Sequence, residues 1–355
     1  LSTRPTGTQV IEFGIYTFGD LARPSADSAL VKARIDEILA AARIADEAGI
    51  DVFGVGEHHR ADFAVSSPAV MLSAIAALTR RIRLTSAVSI LSSDDPVRLY
   101  QQFATLDLIS GGRAELLVGR GAYIESFPLF GYELDDYESL FDEKLALLCK
   151  IDAAHGDHDQ TINWSGRHRP ALQRARIMPP PLRERLPIWI AAGGTPSSAQ
   201  RAGRAGLPLN LANISGSPER FVPFVDLYRE TGLAAGHTAA QLQVSIAGHF
   251  HVQRDGKKAR DEFFPYYRRY MSSNLPRGYA EMSRADYETL ASPRGALFVG
   301  SVQEIVDKIL MEYELFGHQR YMAQMDIGGL PFGRVRESIE LFAAEVIPAV
   351  RRAIG

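Results

Sequence analysis

The sequence predicts an α/β fold, a (β/α)8 TIM barrel with insertions at the C-terminal face. Three observations carry that prediction. From residue 10 onward, short β-branched or aromatic runs alternate with longer amphipathic patterns, the signature of repeated βα units with parallel strands. Eight such runs fit into the 355 residues, a length suited to one large barrel. The composition, 46% hydrophobic and 23% charged, is that of a globular chain with a sizeable core. The same alternation also suits an open doubly wound sheet, the alternative architecture. The barrel is expected to occupy residues 10–355 as one domain, with an insertion at 156–186 and a lid candidate at 271–297.

The first strand is read at 12–18. A helix follows, because Val31, Ile35, Ile38, Ala42 and Ala45 recur at three- and four-residue spacing, with Gly49 just past its end. The second strand is 51–56, and a helix begins near Pro68. The third, 82–91, runs into Asp95-Pro96, where aspartate can cap a helix and proline can open it. Gly111-Gly112 turns the chain into a fourth strand at 114–119, and a long helical pattern covers about 136–154. Residues 156–186 break the rhythm with glycine, histidine, arginine and the run Pro179-Pro180-Pro181. Strand five is 187–191, with a helix from Pro196; strand six is 207–211, with a helix from Pro218; strand seven is 243–252 and strand eight 320–325. Between the last two, Ser301 and Glu304 have capping-box spacing. Residues 271–297 are too long for an ordinary connection and read as structureless.

Thirty-nine basic against 42 acidic residues give a net charge of −3, so no global field favours nucleic acid or an anionic membrane. No apolar run approaches the roughly 20 residues of a spanning helix. The single cysteine, Cys149, excludes an internal disulfide and a thiolate metal cluster and fits a reducing compartment; a cytoplasmic protein is expected.

In a barrel, chemistry gathers at the C-terminal ends of the strands. Strand two ends in Glu57-His58-His59-Arg60. Adjacent histidines on an extended segment face opposite ways, so they are poor chelators of one metal, and no metal site is expected. One of them can face the cavity as an acid, base or oxygen-stabilising group. Strand four ends in Gly119-Arg120-Gly121, a guanidinium suited to phosphate beside backbone that permits close approach. Strand five ends in Gly193-Gly194-Thr195-Pro196-Ser197-Ser198, where Thr195 can cap a helix whose first N–H groups and hydroxyls can receive an anion. Phe18, Phe53, Phe63 and Tyr123 are candidates to line the pocket. No Walker sequence, no GxGxxG after the first strand and no Gly-x-Ser-x-Gly elbow is present, which removes support for nucleotide hydrolysis and serine-hydrolase chemistry.

With these pieces in order, the chain resembles the bacterial luciferase-like, flavin-dependent monooxygenase family from Phe13 to about Ala349. The matching segments are Gly-Glu-His-His at 56–59, Pro-Val-Arg at 96–98, Leu-Asp-Leu-Ile-Ser-Gly-Gly-Arg at 106–113, Gly-Arg-Gly at 119–121, and Gly-Gly-Thr-Pro-Ser-Ser at 193–198 leading to Gly-Leu-Pro at 206–208. The resemblance implies reduced FMN supplied by a separate flavin reductase, O2 as co-substrate and oxygenation of a small organic substrate. It places the flavin phosphate on Arg120, Gly194, Thr195, Ser197 and Ser198, and the ring against Ala87, Val88 and Ser89, with Ala87–Val88 a candidate cis peptide. It matches His58 to the family's active-site histidine and implies a homodimer. No reactive cysteine follows strand four. The alternatives are a deazaflavin-dependent oxidoreductase and, in a different class, a catalytically silent flavin-binding protein.

Overall fold

A computed structural model of the chain describes residues 11–121, 123–155, 161–274 and 281–355. Eight parallel strands close into a barrel: β1 (Glu12–Thr17), β2 (Val52–Val55), β3 (Arg83–Ser86), β4 (Ala114–Gly119), β5 (Ile188–Ala192), β6 (Leu209–Ala212), β7 (Val244–Gln253) and β8 (Arg320–Gln324). Each pairs with its successor, and β8 pairs with β1 to complete the ring. The (β/α)8 architecture is therefore the one present, and the open sheet is excluded.

Alternation along each strand sorts the side chains into two layers. One set faces the helices: Phe13, Phe53, Leu84, Leu116 and their neighbours form a continuous buried core with the surrounding helical faces. The other set faces inward, where Tyr16, Val52, Ala247 and Met322 make a smaller cluster. Glycine suits position 14, since a Cβ there would lie 2.9 Å from the Val52 backbone carbonyl oxygen and would also displace the end of Met322. Phe53, a pocket candidate by sequence, lies on the outward side of β2 and belongs to the core between barrel and helices.

The end of the barrel opposite the strand C-termini is plugged by charge. Arg320 donates to Glu115 at 2.7 Å and to Glu12 at 3.0 Å, and its guanidinium lies 4.3 Å from the Trp189 ring centre. Burial alone would raise the Glu115 carboxyl, but Arg320 and Arg83 outweigh it and hold the group below its ordinary range. An arrangement with every charge paired can persist where an isolated carboxylate could not.

The local signals act as expected at several positions. Asp95 Oδ1 accepts from the N–H groups of Val97 and Arg98 at 2.9 and 3.1 Å, starting the helix Pro96–Ser110. Ser301 and Glu304 form a capping box ahead of Val302–Phe316. Two segments differ from the reading. The third strand is not continuous over 82–91, because the Ala87–Val88 peptide is cis and separates β3 from a short strand, Ser89–Ile90, paired with β4.

Residues 271–297 are not structureless either. The helix Gly256–Asn274 runs into the segment, residues 275–280 lie outside the described residues, and a second helix, Arg284–Ala291, follows. The second helix forms because Ser283 and Asp286 make a capping box and Tyr287 buries its ring against Phe264 and Tyr267. The insertion at 156–186 contains an antiparallel pair, Ile162–Trp164 with Leu172–Ala175. Its return strap is pinned by two carboxylates: Asp107 accepts from Leu182 N and Asp152 from Leu186 N, both at 2.9 Å.

Candidate active site

At the C-terminal ends of the strands lies a largely apolar cavity with about 890 Å³ of empty space including its mouth. Tyr16, Phe18, His58, Val88, Tyr123 and Gln324 are among the residues that line it. Such a cavity, with few polar groups converging on it, suits a flat organic ligand.

His58 follows β2 and is 6% exposed. Its ring sits among three aromatic rings, with centroids 4.6 Å from Phe18, 4.3 Å from Phe63 and 4.7 Å from Tyr123. Phe63 thus buttresses the histidine and is not part of the cavity wall. His58 Nδ1 faces Glu125 Oε1 at 3.5 Å, the outer limit of hydrogen-bonding reach. Burial lowers the His58 pKa and Glu125 opposes it, with burial the larger effect. The imidazole is accordingly neutral at pH 7. A carboxylate at Nδ1 favours the proton there and leaves Nε2 as the acceptor. Burial pushes the Glu125 carboxyl up, but His58 and backbone hydrogen bonds outweigh this and hold it below its usual range.

His59 faces the other way. It lies 3.7 Å from Glu57, whose carboxylate is the largest influence on the imidazole and raises its pKa, and its ring meets Phe130 edge-on. The opposed orientation expected of adjacent histidines is present. Glu57 reaches the cavity wall while its Oε1 accepts from Ile90 N at 2.5 Å, tying the β2 end to the chain after the cis peptide. Ala87 and Val88 line the cavity; Ser89, buried and in register with Val118, does not.

Arg120, immediately after β4, donates to Ser198 Oγ at 2.9 Å and to Glu138, with its guanidinium beside the Tyr137 ring. Glu138 also receives Arg201 at 2.8 Å. Ser198 lies in the helix Pro196–Ala205, and Thr195 Oγ1 stands 2.8 Å from its hydroxyl and 3.4 Å from that of Ser197. Thr195 occupies the N-cap position, yet its hydroxyl makes no capping bond; the serine hydroxyls take it instead. Gly194 has φ +92°, and a Cβ there would meet the Phe221 ring at 2.7 Å. The structure therefore gathers the residues at 120 and 194–198 into one cluster at a helix N-terminus, adjoining the cavity through Gly121.

The sequence reading did not single out Glu125, His249, Asn210, Tyr270 or Gln324. Inward alternation at the ends of β6, β7 and β8 was the available signal for Asn210, His249 and Gln324. His249 is neutral, its pKa pushed down to about 4 by burial, with Nδ1 3.5 Å from the Tyr267 hydroxyl. Cys149 is inert as a nucleophile, since burial pushes its thiol up to about 11. Among the described residues no group of three or more histidine, cysteine or carboxylate side chains can hold a metal ion, and no helix is long and apolar enough to cross a membrane.

A closed barrel with this cavity defines an enzyme scaffold whose site lies at the strand ends. The luciferase-like monooxygenase family matches residues 11–319, and the chain belongs to that family; it is an oxidoreductase. The oxygenase component of a flavin-dependent trigonelline monooxygenase from Acinetobacter baylyi is 25% identical, over 91% of this chain and 92% of its own length. The structure of monooxygenase RslO1 from Streptomyces bottropensis superposes with a TM-score of 0.82 at 26% identity, covering 95% of this chain and 99% of that one. The barrel of an F420-dependent secondary alcohol dehydrogenase also superposes, with a TM-score of 0.71 at 16% identity over 96% and 99% of the two chains, a likeness of fold alone.

Proposed function

We propose that this chain is the oxygenase component of a two-component monooxygenase that uses reduced FMN, supplied by a separate reductase, and O2 to oxygenate a small organic substrate. The observation that carries the reading is the adjacency of a largely apolar cavity, lined by Ala87 and Val88, to the cluster of guanidinium, hydroxyls and helix N-terminus that begins one residue away at Arg120. The donor set fits a flavin mononucleotide. Arg120 and the hydroxyls of Thr195, Ser197 and Ser198 would hold the phosphate at the N-terminus of Pro196–Ala205, with Gly194 allowing the turn, and Ala87 and Val88 would back the ring, with Ser89 behind them. The relative that is itself a flavin-dependent oxygenase component supports the separate reductase.

Bound reduced flavin supplies the electrons that activate O2 for transfer of one oxygen atom. The protein's part is positional. Phe18, Val88 and Tyr123 exclude water, and Tyr123 is further fixed by a hydrogen bond to Tyr270. Neutral His58, with its proton held at Nδ1 toward Glu125, presents Nε2 to accept or share a proton in the cavity. The end of Gly256–Asn274 bears on the mouth, with Arg60 donating to Ser273 O at 3.3 Å, and residues 271–297 serve as the cover of the site in this reading.

A homodimer and a cytoplasmic location belong to the same proposal. Exposed Val70, Leu78, Leu108, Ile109, Met178 and Leu182 mark the helices Pro68–Leu78 and Pro96–Ser110 and the adjoining strap as an apolar face suited to a second copy. Cys149, the single cysteine, is half-buried and free, which fits a reducing compartment.

Anaerobic titration with FMN and with F420, each oxidised and reduced, followed by an O2 pulse, tests the cofactor. Tightest binding of reduced FMN with oxygen consumption supports the oxygenase. Tightest binding of F420 with no oxygen consumption supports the deazaflavin alternative, and binding without turnover of any kind supports a silent flavoprotein.

A further inference from the structure

The polar groups of the cavity fall on two walls. On the β2–β5 side, Glu57 and the Arg120 cluster are engaged with protein partners, and His58 Nδ1 faces Glu125 Oε1 at 3.5 Å. On the opposite side, Tyr16, Gln324 and His249 stand in one row, because β1, β8 and β7 are in register at those residues. All three line the cavity. Gln324 is fully buried, and neither its Nε2 nor its Oε1 has a hydrogen-bond partner among the described residues. Buried amides are bonded in nearly all native proteins, and an apolar side chain of similar size would fill the same space without desolvating a donor and an acceptor. Gln324 is thus poorly explained by folding and well explained by a ligand.

Its surroundings define the ligand's class. His249 is neutral through burial, and burial together with Asp20 and Asp326 raises the Tyr16 hydroxyl, keeping it neutral as well. Among the described residues no lysine or arginine lines the cavity, and its lining carboxylate, Glu57, already accepts from Ile90 N and faces His59. Phe18, Val88, Leu117, Ile214 and Met322 supply an apolar remainder. An anionic substrate would be desolvated there without a cation, and a cationic one without a free carboxylate. We propose that Gln324 is a specificity-determining contact for a neutral substrate with a hydrocarbon body and a carbonyl or carboxamide group. The amide N–H donates to the substrate carbonyl, and its oxygen accepts from a carboxamide N–H where there is one. Calling this ligand the substrate rests on the monooxygenase reading; its binding does not. The pyrimidine edge of a flavin also presents carbonyls and an N–H, so the test must separate the two sources.

Benzamide, acetophenone, ethylbenzene and benzoate, similar in girth, are titrated into the full chain by ligand-observed NMR, with and without FMN. Benzamide and acetophenone are expected to bind roughly tenfold more tightly than ethylbenzene, with benzoate weakest. Gln324→Leu and, as a second apolar replacement, Gln324→Met should bring the three neutral fragments to within about twofold of one another, with Tm unchanged or raised. No preference in the unmodified protein, a preference that survives both variants, or tightest binding of benzoate overturns the proposal. So does a marked fall of Tm in both variants, which assigns the amide a structural bond. Weakened FMN with fragments unaffected also overturns it, assigning the amide to the flavin. A Gln324-dependent fragment preference in a protein that fails to bind FMN supports this proposal while refuting the flavin reading.

Discussion

Replacing Arg120 by alanine removes a guanidinium that Ser198, Glu138 and the Tyr137 ring hold at the start of Pro196–Ala205. If that group binds the flavin phosphate, one charge-assisted contact disappears, a loss of roughly 1.5–3 kcal/mol. Part is offset in the unmodified protein, because phosphate must take the guanidinium from Glu138. That carboxylate is 54% exposed, and exposed ion pairs contribute only about 0–1 kcal/mol. The net effect is about 0.5–3 kcal/mol, or about 2- to 150-fold weaker binding of reduced FMN. Riboflavin shares the ring and lacks the phosphate, so its affinity should stay within about twofold. Anaerobic fluorescence titration of both reduced ligands measures the difference. The converse variant, Glu138→Gln, removes a competing anion and should tighten FMN by a few-fold, while Arg201 keeps its bond to Asp142. Equal weakening of FMN and riboflavin by Arg120→Ala, or weaker FMN binding by Glu138→Gln, refutes the phosphate site.

His58→Ala should leave reduced-flavin affinity within several-fold yet lower product formed per flavin oxidised, with hydrogen peroxide released instead, since a positioned acid–base group contributes roughly 10²- to 10⁴-fold in rate. His59→Ala is the control, and unchanged coupling in both variants makes the pair structural. Because Glu125 opposes the burial-driven lowering of the His58 pKa, Glu125→Gln should move the acid limb of kcat/KM to lower pH; an unmoved or raised limb counts against the pairing. Glu312 is buried, with its carboxyl pushed up to about 8 by burial against the opposing effects of Asn213 and Lys308. The folded state therefore keeps a proton that the unfolded state sheds near pH 4.5, and stability is lost as pH rises toward about 8. Glu312→Gln should raise the unfolding free energy at pH 8 by on the order of a few kcal/mol and change it little at pH 4.5, as measured by denaturant unfolding; an equal effect at both pH values excludes this account. Ile109→Asp, on the exposed apolar face, should convert a dimer to monomers by light scattering without unfolding the barrel, and an unchanged mass places the interface elsewhere.

The barrel was legible because its signals are local and periodic. Alternating strand and helix patterns, Asp95-Pro96 and the Ser301–Glu304 box act within a few residues of themselves, and the structure uses each as read. His58 and His59 were separable in advance for the same reason: neighbouring extended residues face opposite ways whatever surrounds them. The resemblance of the Gly-Glu-His-His and Gly-Arg-Gly segments brought in the Ala87–Val88 cis peptide, which local propensity alone disfavours.

Other features depended on contacts between distant segments. Residues 284–291 lacked a strong apolar period, but the Ser283–Asp286 box and packing of Tyr287 against Phe264 and Tyr267 make them a helix. Phe53 and Tyr123 were equal pocket candidates until strand closure turned one outward and a loop brought the other beside His58. Glu125 became the partner of His58 across a separation of 67 in the numbering, from 58 to 125, and no spacing rule connects them. Gln324, one more residue near a strand end in the sequence, gains meaning only when register sets it between Tyr16 and His249 with its amide unpaired. Short-range patterning thus determined the fold and the order of the strand-end motifs. Barrel closure, which alone fixes inward from outward and brings chain-distant side chains within a few ångströms, decided what the site's walls are made of.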